Sequence, residues 1–237
     1  AKLGKSVLVV EGRCRVGGVS VHTGTIPSKT LRETVMNLSG WRERGFYGSS
    51  YRVKQQINAS DLSTRLGKTL DHEIDVLEHQ FARNGVQVRQ GEARFLGAHR
   101  LAVAACDGAR TIEEEVEAEK VLIATGTQPW RPAGIPFNGS TVLDSDQFIL
   151  SPRLPRSLTV VGGGVIGLEY ATIFSALDVA VTLIEPRERL LEFIDREIVD
   201  YLIHLMRDRG IALRLGGEVT SIQFAADGSP VCLLADG

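Results

Sequence analysis

The chain opens with an apolar run of β-branched type, Ser6–Glu11 (SVLVVE), that ends in an acid, which predicts a buried parallel strand. A helix is expected over Pro27–Leu38, with Pro27 suited to its first turn. Tyr47–Ala59 is polar and poorly periodic and reads as loop. Leu62, Leu66, Leu70, Ile74, Leu77 and Phe81 then recur at helical spacing, so a long amphipathic helix is expected over Ser60–Asn84, with Ser60 as its N-cap and Gly85 as its stop.

The rhythm changes from Val86 to Ile123. VQVRQGEARFL, RLAVAA and TIEEEVEAEKVLIATG alternate or cluster as short strands, and Asp107-Gly108 is a hairpin signal. Ser151–Arg156, with Pro152 and Pro155, reads as a linker. A second α/β unit follows: strand Ser157–Val161, a glycine turn, helix Gly167–Ser175 and strand Ala180–Glu185. Another helix, Asp195–Arg209, stops at Gly210, and two strands are expected around Gly216 and Asp227-Gly228. Alternating strands and helices define an α/β fold.

The 237 residues are 43% hydrophobic and 24% charged, an ordinary globular balance, and suggest one or two domains. A net charge of −2 gives no electrostatic case for nucleic acid or an anionic membrane. Cys14, Cys106 and Cys232 have no zinc or CxxC spacing, and a reduced, cytoplasmic protein is the simplest reading. No run reaches the length of a membrane span, and no metal site is expected, since His72 and His79 lack acidic or cysteine partners at ligand spacing. The opening AKLGKSVLVVE and the closing VCLLADG both read as interior to a longer protein.

Gly162-x-Gly164-x-x-Gly167 follows an apolar strand, opens a helix and precedes a second strand ending in Glu185. That context makes it a dinucleotide-binding fingerprint. Gly162 permits a tight turn, Gly164 lets a pyrophosphate approach the backbone, and Gly167 lets helix and strand pack closely. The helix N-terminus, including Ile166, offers N–H groups to phosphate. Glu185 can accept hydrogen bonds from a ribose diol and favours NAD(H), while Arg187 and Arg189 are either solvated surface residues or a partial offset to its charge.

Residues 17–29, GGVSVHTGTIPSK, resemble the active-site segment GGxCxxxGCxPSK of the FAD-dependent pyridine nucleotide–disulfide oxidoreductases. Ser20 and Thr25 stand where that family has its redox cysteines, and a hydroxyl cannot carry out thiol–disulfide exchange. ATGTQP and GGGVIGLEYATIF extend the resemblance over nearly the whole chain. It implies two Rossmann-like domains, both incomplete: 1–150 binding FAD, without its first strand and first GxGxxG, and 151–237 binding NAD(P). By the same matching Lys29 pairs with Glu169 near the flavin as the catalytic pair. Glu11, Gly18, Lys29, Ala93, Ala124, Thr125, Gly126 and Ser145 would contact FAD, and Gly162, Gly164, Ile166, Gly167 and Glu185 would contact NAD(P). His22 would orient a substrate or donate a proton there, or serve only as a polar loop residue.

Within the family, GTIPSKTLRE and YGSSYRVK resemble a soluble subgroup that has threonine in place of the second cysteine and passes hydride from NADPH to NAD⁺ through FAD. Nicotinamide dinucleotides are then the partners, and a homodimer is implied at full length. Two alternatives stay open: a dihydrolipoyl-dehydrogenase-like disulfide reductase relative, and a catalytically silent nucleotide-binding fragment.

Overall fold

The computed structural model describes residues 1–107, 110–151 and 153–235. Gly108 of the hairpin signal and Pro152 of the linker lie outside the described residues. The chain forms two compact units, Ala1–Gly24 with Lys68–Gln128, and Thr25–Gly67 with Pro129–Gly237.

The first unit begins with β1 (Leu8–Glu11) and a short helix α1 (Gly18–His22). Two helices that belong to the second unit come next in the chain, α2 (Thr25–Ser39) and α3 (Arg44–Tyr47), and then α4 (Ala59–Arg83), which ends in the first unit. The first unit goes on with β2 (Gln87–Gln90), β3 (Glu92–Phe95), β4 (Arg100–Asp107) and β5 (Arg110–Glu117). β1 and β2 pair in parallel, and β3-β4-β5 form an antiparallel sheet with Ala102 and Val103 buried.

The cap of α4 is not Ser60. Asn58 Oδ1 accepts the Asp61 N–H at 3.0 Å, and Asp61 Oδ2 accepts the Asn58 N–H at 2.9 Å. This reciprocal box satisfies two donors at once, which a serine two residues later cannot match. Gly85 ends the helix as expected, at φ +66.

The expected strand VLIATG does not form. After Glu117 the chain is irregular to α5 (Ser145–Ile149), and Val121, Leu122 and Ile123 are exposed at 37%, 90% and 68%. The residue types suit a buried strand, but a strand needs a neighbour to receive its N–H and C=O groups, and none of the described residues pairs with this run.

The second unit carries β6 (Ser157–Val161), α6 (Val165–Ser175), β7 (Ala180–Glu185), α7 (Arg196–Asp208) and β8 (Ala212–Leu215). β6-β7-β8 form a parallel sheet, and β9 (Val219–Phe224) pairs antiparallel with β10 (Pro230–Leu234). α6 packs on β6 and β7 on one side and on α2 on the other, so it is apolar nearly all round. Val35, Ala171, Ile173 and Leu183 have no exposed surface, and each of the valine, isoleucine and leucine side chains contributes roughly 1.5–3 kcal/mol by leaving water. Packing of α2 on α6 is what groups Thr25–Gly67 with the second unit.

Candidate functional site

The glycine turn lies between β6 and α6. Gly162 has φ +107, a conformation that favours glycine, and its N–H donates to the Ile184 carbonyl at 2.8 Å. A Cβ on Gly167 would lie 2.1 Å from the Gly162 carbonyl oxygen, so any larger residue would push α6 off the turn. Gly164 is different, because a Cβ there would meet nothing within 4 Å. Gly164 is also the N-cap of α6 and offers no side-chain bond, which leaves the first N–H groups of the helix open. Val165 and Ile166 stand exposed beside it, at 61% and 58%. An open helix N-terminus faced by a glycine, with free space in front of it, fits a pyrophosphate.

Glu185 ends β7 and is 2% exposed. Its Oε2 accepts the Gly163 N–H at 2.6 Å, and its Oε1 accepts the Arg187 N–H at 3.1 Å and Nε–H at 2.6 Å. The Arg187 hydrogen bond, helped by the two backbone N–H groups and opposed by burial, pulls the carboxyl from its ordinary 4.5 to about 2. A carboxylate has about four acceptor positions, so roughly one remains for a ribose hydroxyl unless Arg187 turns away. Arg187, half exposed, is therefore partnered rather than simply solvated. Arg189 is exposed.

Gly163, the middle glycine, stands at the first free position of the GxGxxG pattern, where the pattern sets no requirement. A Cβ there would come within 2.3 Å of Leu190 Cδ2 and 3.1 Å of Glu185 Oε2. A third glycine where the pattern asks for two was the available signal.

Lys29 is the fifth residue of α2 and Glu169 the fifth of α6. Lys29 Nζ lies 2.5 Å from Glu169 Oε1, with side-chain exposures of 60% and 17%. The carboxylate is held in the helix layer and the ammonium faces outward. Proline supplies the backbone for this: Pro27 is buried in the first turn of α2, where its missing N–H costs nothing. Ser28 is buried beside it and donates to the Thr25 carbonyl at 3.3 Å.

Ser145 is the first residue of α5, just after Asp144. Asp144 was not anticipated. It accepts the Gln147 N–H at 2.9 Å in a capping box and takes Arg131 Nε at 2.7 Å and Nη2 at 2.5 Å, with 5% of its side chain exposed. A D-x-x-Q spacing before a short helix was the readable sign.

In the first unit, Glu11 Oε1 accepts the Arg13 N–H at 2.9 Å. Glu11 lines a cavity of about 350 Å³ with Cys14, Arg15, Glu78, Phe81 and Gln90. Gly18, at φ +58, opens α1. Gly126, at φ +71, sits where a Cβ would touch Val19 at 3.5 Å, and Ala124 and Thr125 are exposed next to it. Ala93 is exposed on β3. His22 ends α1 with Nε2 at 3.0 Å from the Val16 carbonyl, so the ring proton on that nitrogen is used by the backbone. Ser20 and Thr25 are exposed hydroxyls.

A parallel sheet, a three-glycine turn into an open helix N-terminus and an acid at the end of the next strand define a dinucleotide-binding α/β protein. The chain belongs to the pyridine nucleotide-disulphide oxidoreductase family, whose profile matches residues 1–237.

The chain is 46% identical over 237 residues to the soluble pyridine nucleotide transhydrogenase of Mycobacterium bovis, covering 100% of this chain and 50% of that relative. It is 35% identical over 227 residues to the protein of the same name from Colwellia psychrerythraea, covering 96% of this chain and 48% of the relative. Among solved structures, LpdA from Mycobacterium tuberculosis superposes with a TM-score of 0.85 at 26% identity, over 98% of this chain and 50% of that one. The chain thus spans about half the length of the curated relatives it matches.

Proposed function

We propose that the full-length protein is an FAD-dependent oxidoreductase that exchanges hydride between NADPH and NAD⁺ without a redox dithiol. The observation that carries this reading is the Lys29–Glu169 ion pair in a chain with hydroxyls at Ser20 and Thr25. In this reading residues 1–150 contribute the FAD-binding domain and 151–237 the NAD(P)-binding domain. The transhydrogenase names of the two relatives support it.

The donor set of the β6–α6 turn fits NAD(P). The open N-terminus of α6, with Gly164 in front, takes the pyrophosphate of NAD(P), with Gly162 and Gly167 forming the turn and Ile166 beside it. Glu185 takes a ribose hydroxyl through its remaining acceptor position. Glu11, Gly18, Ala93, Ala124, Thr125, Gly126 and Ser145 are the candidate FAD contacts. FAD, when bound, supplies the hydride-accepting and hydride-donating chemistry.

Lys29 holds a positive charge where negative charge develops, and Glu169 keeps that ammonium in place. The overall exchange, NADPH and NAD⁺ giving NADP⁺ and NADH, moves one hydride and leaves no proton to dispose of. No thiol is needed. The family resemblance implies a homodimer, and the reading places the protein in the cytoplasm.

The test is the visible spectrum of the purified full-length protein together with NADPH-to-NAD⁺ hydride exchange. A flavin band with exchange supports the proposal. A colourless protein, or steady reduction of lipoamide or glutathione disulfide, would overturn it.

A further inference from the structure

One part of the sequence, YGSSYRVK at Tyr47–Lys54, has no place in the chemistry above. In the structure it is fixed by side chains. Tyr51 lies over Gly40, so closely that a Cβ on that glycine would meet its ring at 2.7 Å. The Lys54 N–H donates to the Leu38 carbonyl at 2.9 Å, satisfying one of the last carbonyls of α2. Lys54 Nζ pairs with Asp61 in the first turn of α4 at 2.5 Å. Arg52 donates to the Ser49 and Tyr51 carbonyls at 2.7 and 2.8 Å and reaches Asp178 Oδ2 at 2.5 Å.

Asp178 is the hub. It takes Arg52 on one oxygen and Arg44 on the other, the latter at 3.2 Å. Arg44 is 11% exposed, lies 4.6 Å from the Trp41 ring centre and reaches the Ser39 carbonyl at the end of α2 at 3.5 Å. The residue that joins these groups sits just past the end of α6. Val179 N–H bonds the Phe174 carbonyl at 3.2 Å and Asp178 N–H bonds the Ser175 carbonyl at 3.1 Å, a left-handed helix stop.

Glycine is the usual residue at such a stop, and Asp178 has φ +62. A carboxylate there also faces the negative end of the helix dipole. One residue bears both local costs, which requires a compensating set of contacts around it. The two arginines are those contacts.

α2 and α6 are therefore joined twice. Near their N-terminal ends the tie is Lys29–Glu169, and beyond their C-terminal ends it is Arg44–Asp178–Arg52. We propose that Asp178 is a positioning residue: by clamping Arg44 and Arg52 at the end of α6 it fixes the register of α2 against α6, and so sets the Lys29–Glu169 contact. Only the importance of that contact rests on the function proposed above; the clamp itself does not.

The test reads Lys29 directly. Full-length protein, with flavin bound and after its removal, is treated with trace acetic anhydride, and the labelling rate of each lysine is read by mass spectrometry. A hydrogen-bonded ammonium held by a carboxylate reacts slowly. Glu169→Gln sets the scale and raises Lys29 labelling several-fold. Asp178→Asn, which keeps a residue tolerant of the left-handed conformation, raises it by at least half as much, and Arg52→Met does the same. Lys120, far along the chain and exposed, keeps its rate. If Asp178→Asn and Arg52→Met lower the melting temperature yet leave Lys29 labelling at the wild-type rate, the clamp is a local stop and the proposal is wrong. Because the measurement is made without flavin as well, failure of the flavin reading leaves its result intact.

Discussion

Lys29 and Glu169 are 140 positions apart in the chain and 2.5 Å apart in space. The fold brings them together by packing α2 on α6, at the same position in each helix. Glu169 is mostly buried, and removing only one partner would leave the other unmatched. We therefore expect Lys29→Met in the full-length protein to slow hydride exchange by roughly 10²-fold, the loss typical of one preorganised charge-stabilising donor. Glu169→Gln should cost less, because the ammonium persists but loses its orientation. Stopped-flow reduction by NADPH measures both.

Gly164 and Gly167 are both glycines of one motif, yet their replacement should have opposite consequences. Alanine at Gly164 has open space and an ordinary backbone, with φ −75, so stability should change by about 0.5 kcal/mol or less while nucleotide affinity falls. Alanine at Gly167 collides with a backbone oxygen and should cost about 1–3 kcal/mol. Urea unfolding and NADH titration on the two variants separate the roles. Equal loss of stability in both would contradict the assignment.

Glu185 links stability to pH. Its folded value of about 2 lies below the ordinary 4.5, so its contribution is complete above pH 4.5 and is lost as pH falls toward 2. The size is on the order of 3 kcal/mol, with more than half gone by about pH 3. The stability gap between wild type and Glu185→Gln should accordingly be widest near neutrality and close in acid. A gap independent of pH would mean that Arg187 and Gly163 do not hold the charged form.

Disulfide substrates should not turn over. Ser20 and Thr25 present hydroxyls, which carry no sulfur and so cannot supply the thiolate that disulfide exchange needs. Lipoamide and glutathione disulfide assays with NADH or NADPH should stay at the no-enzyme rate.

The β6–α6–β7 segment was legible because its signals are local. An apolar strand, glycines and an acid at the next strand's end lie within one stretch, and β6, α6 and β7 fall where the pattern puts them. The pairing of Lys29 with Glu169 came only from resemblance, since no spacing rule joins residues so far apart. The Asp178 clamp was not legible for the same reason: no spacing in the sequence joins Arg44 or Arg52 to Asp178, and only the fold brings the end of α6 to them. Ser60 does not cap α4 because Asn58 and Asp61 compete better for the same donors. VLIATG departs from its strand signal because propensity describes the residue, while a strand depends on its neighbour.

That last run has a colloidal consequence. Val121, Leu122 and Ile123 present aliphatic side chains to water without a proline or a charge among them, and their backbone joins no strand pair among the described residues. An uncovered apolar run of this kind invites association with other exposed apolar surface. Wherever these residues stay uncovered, turbidity on concentration and early cleavage by proteases should centre on this run.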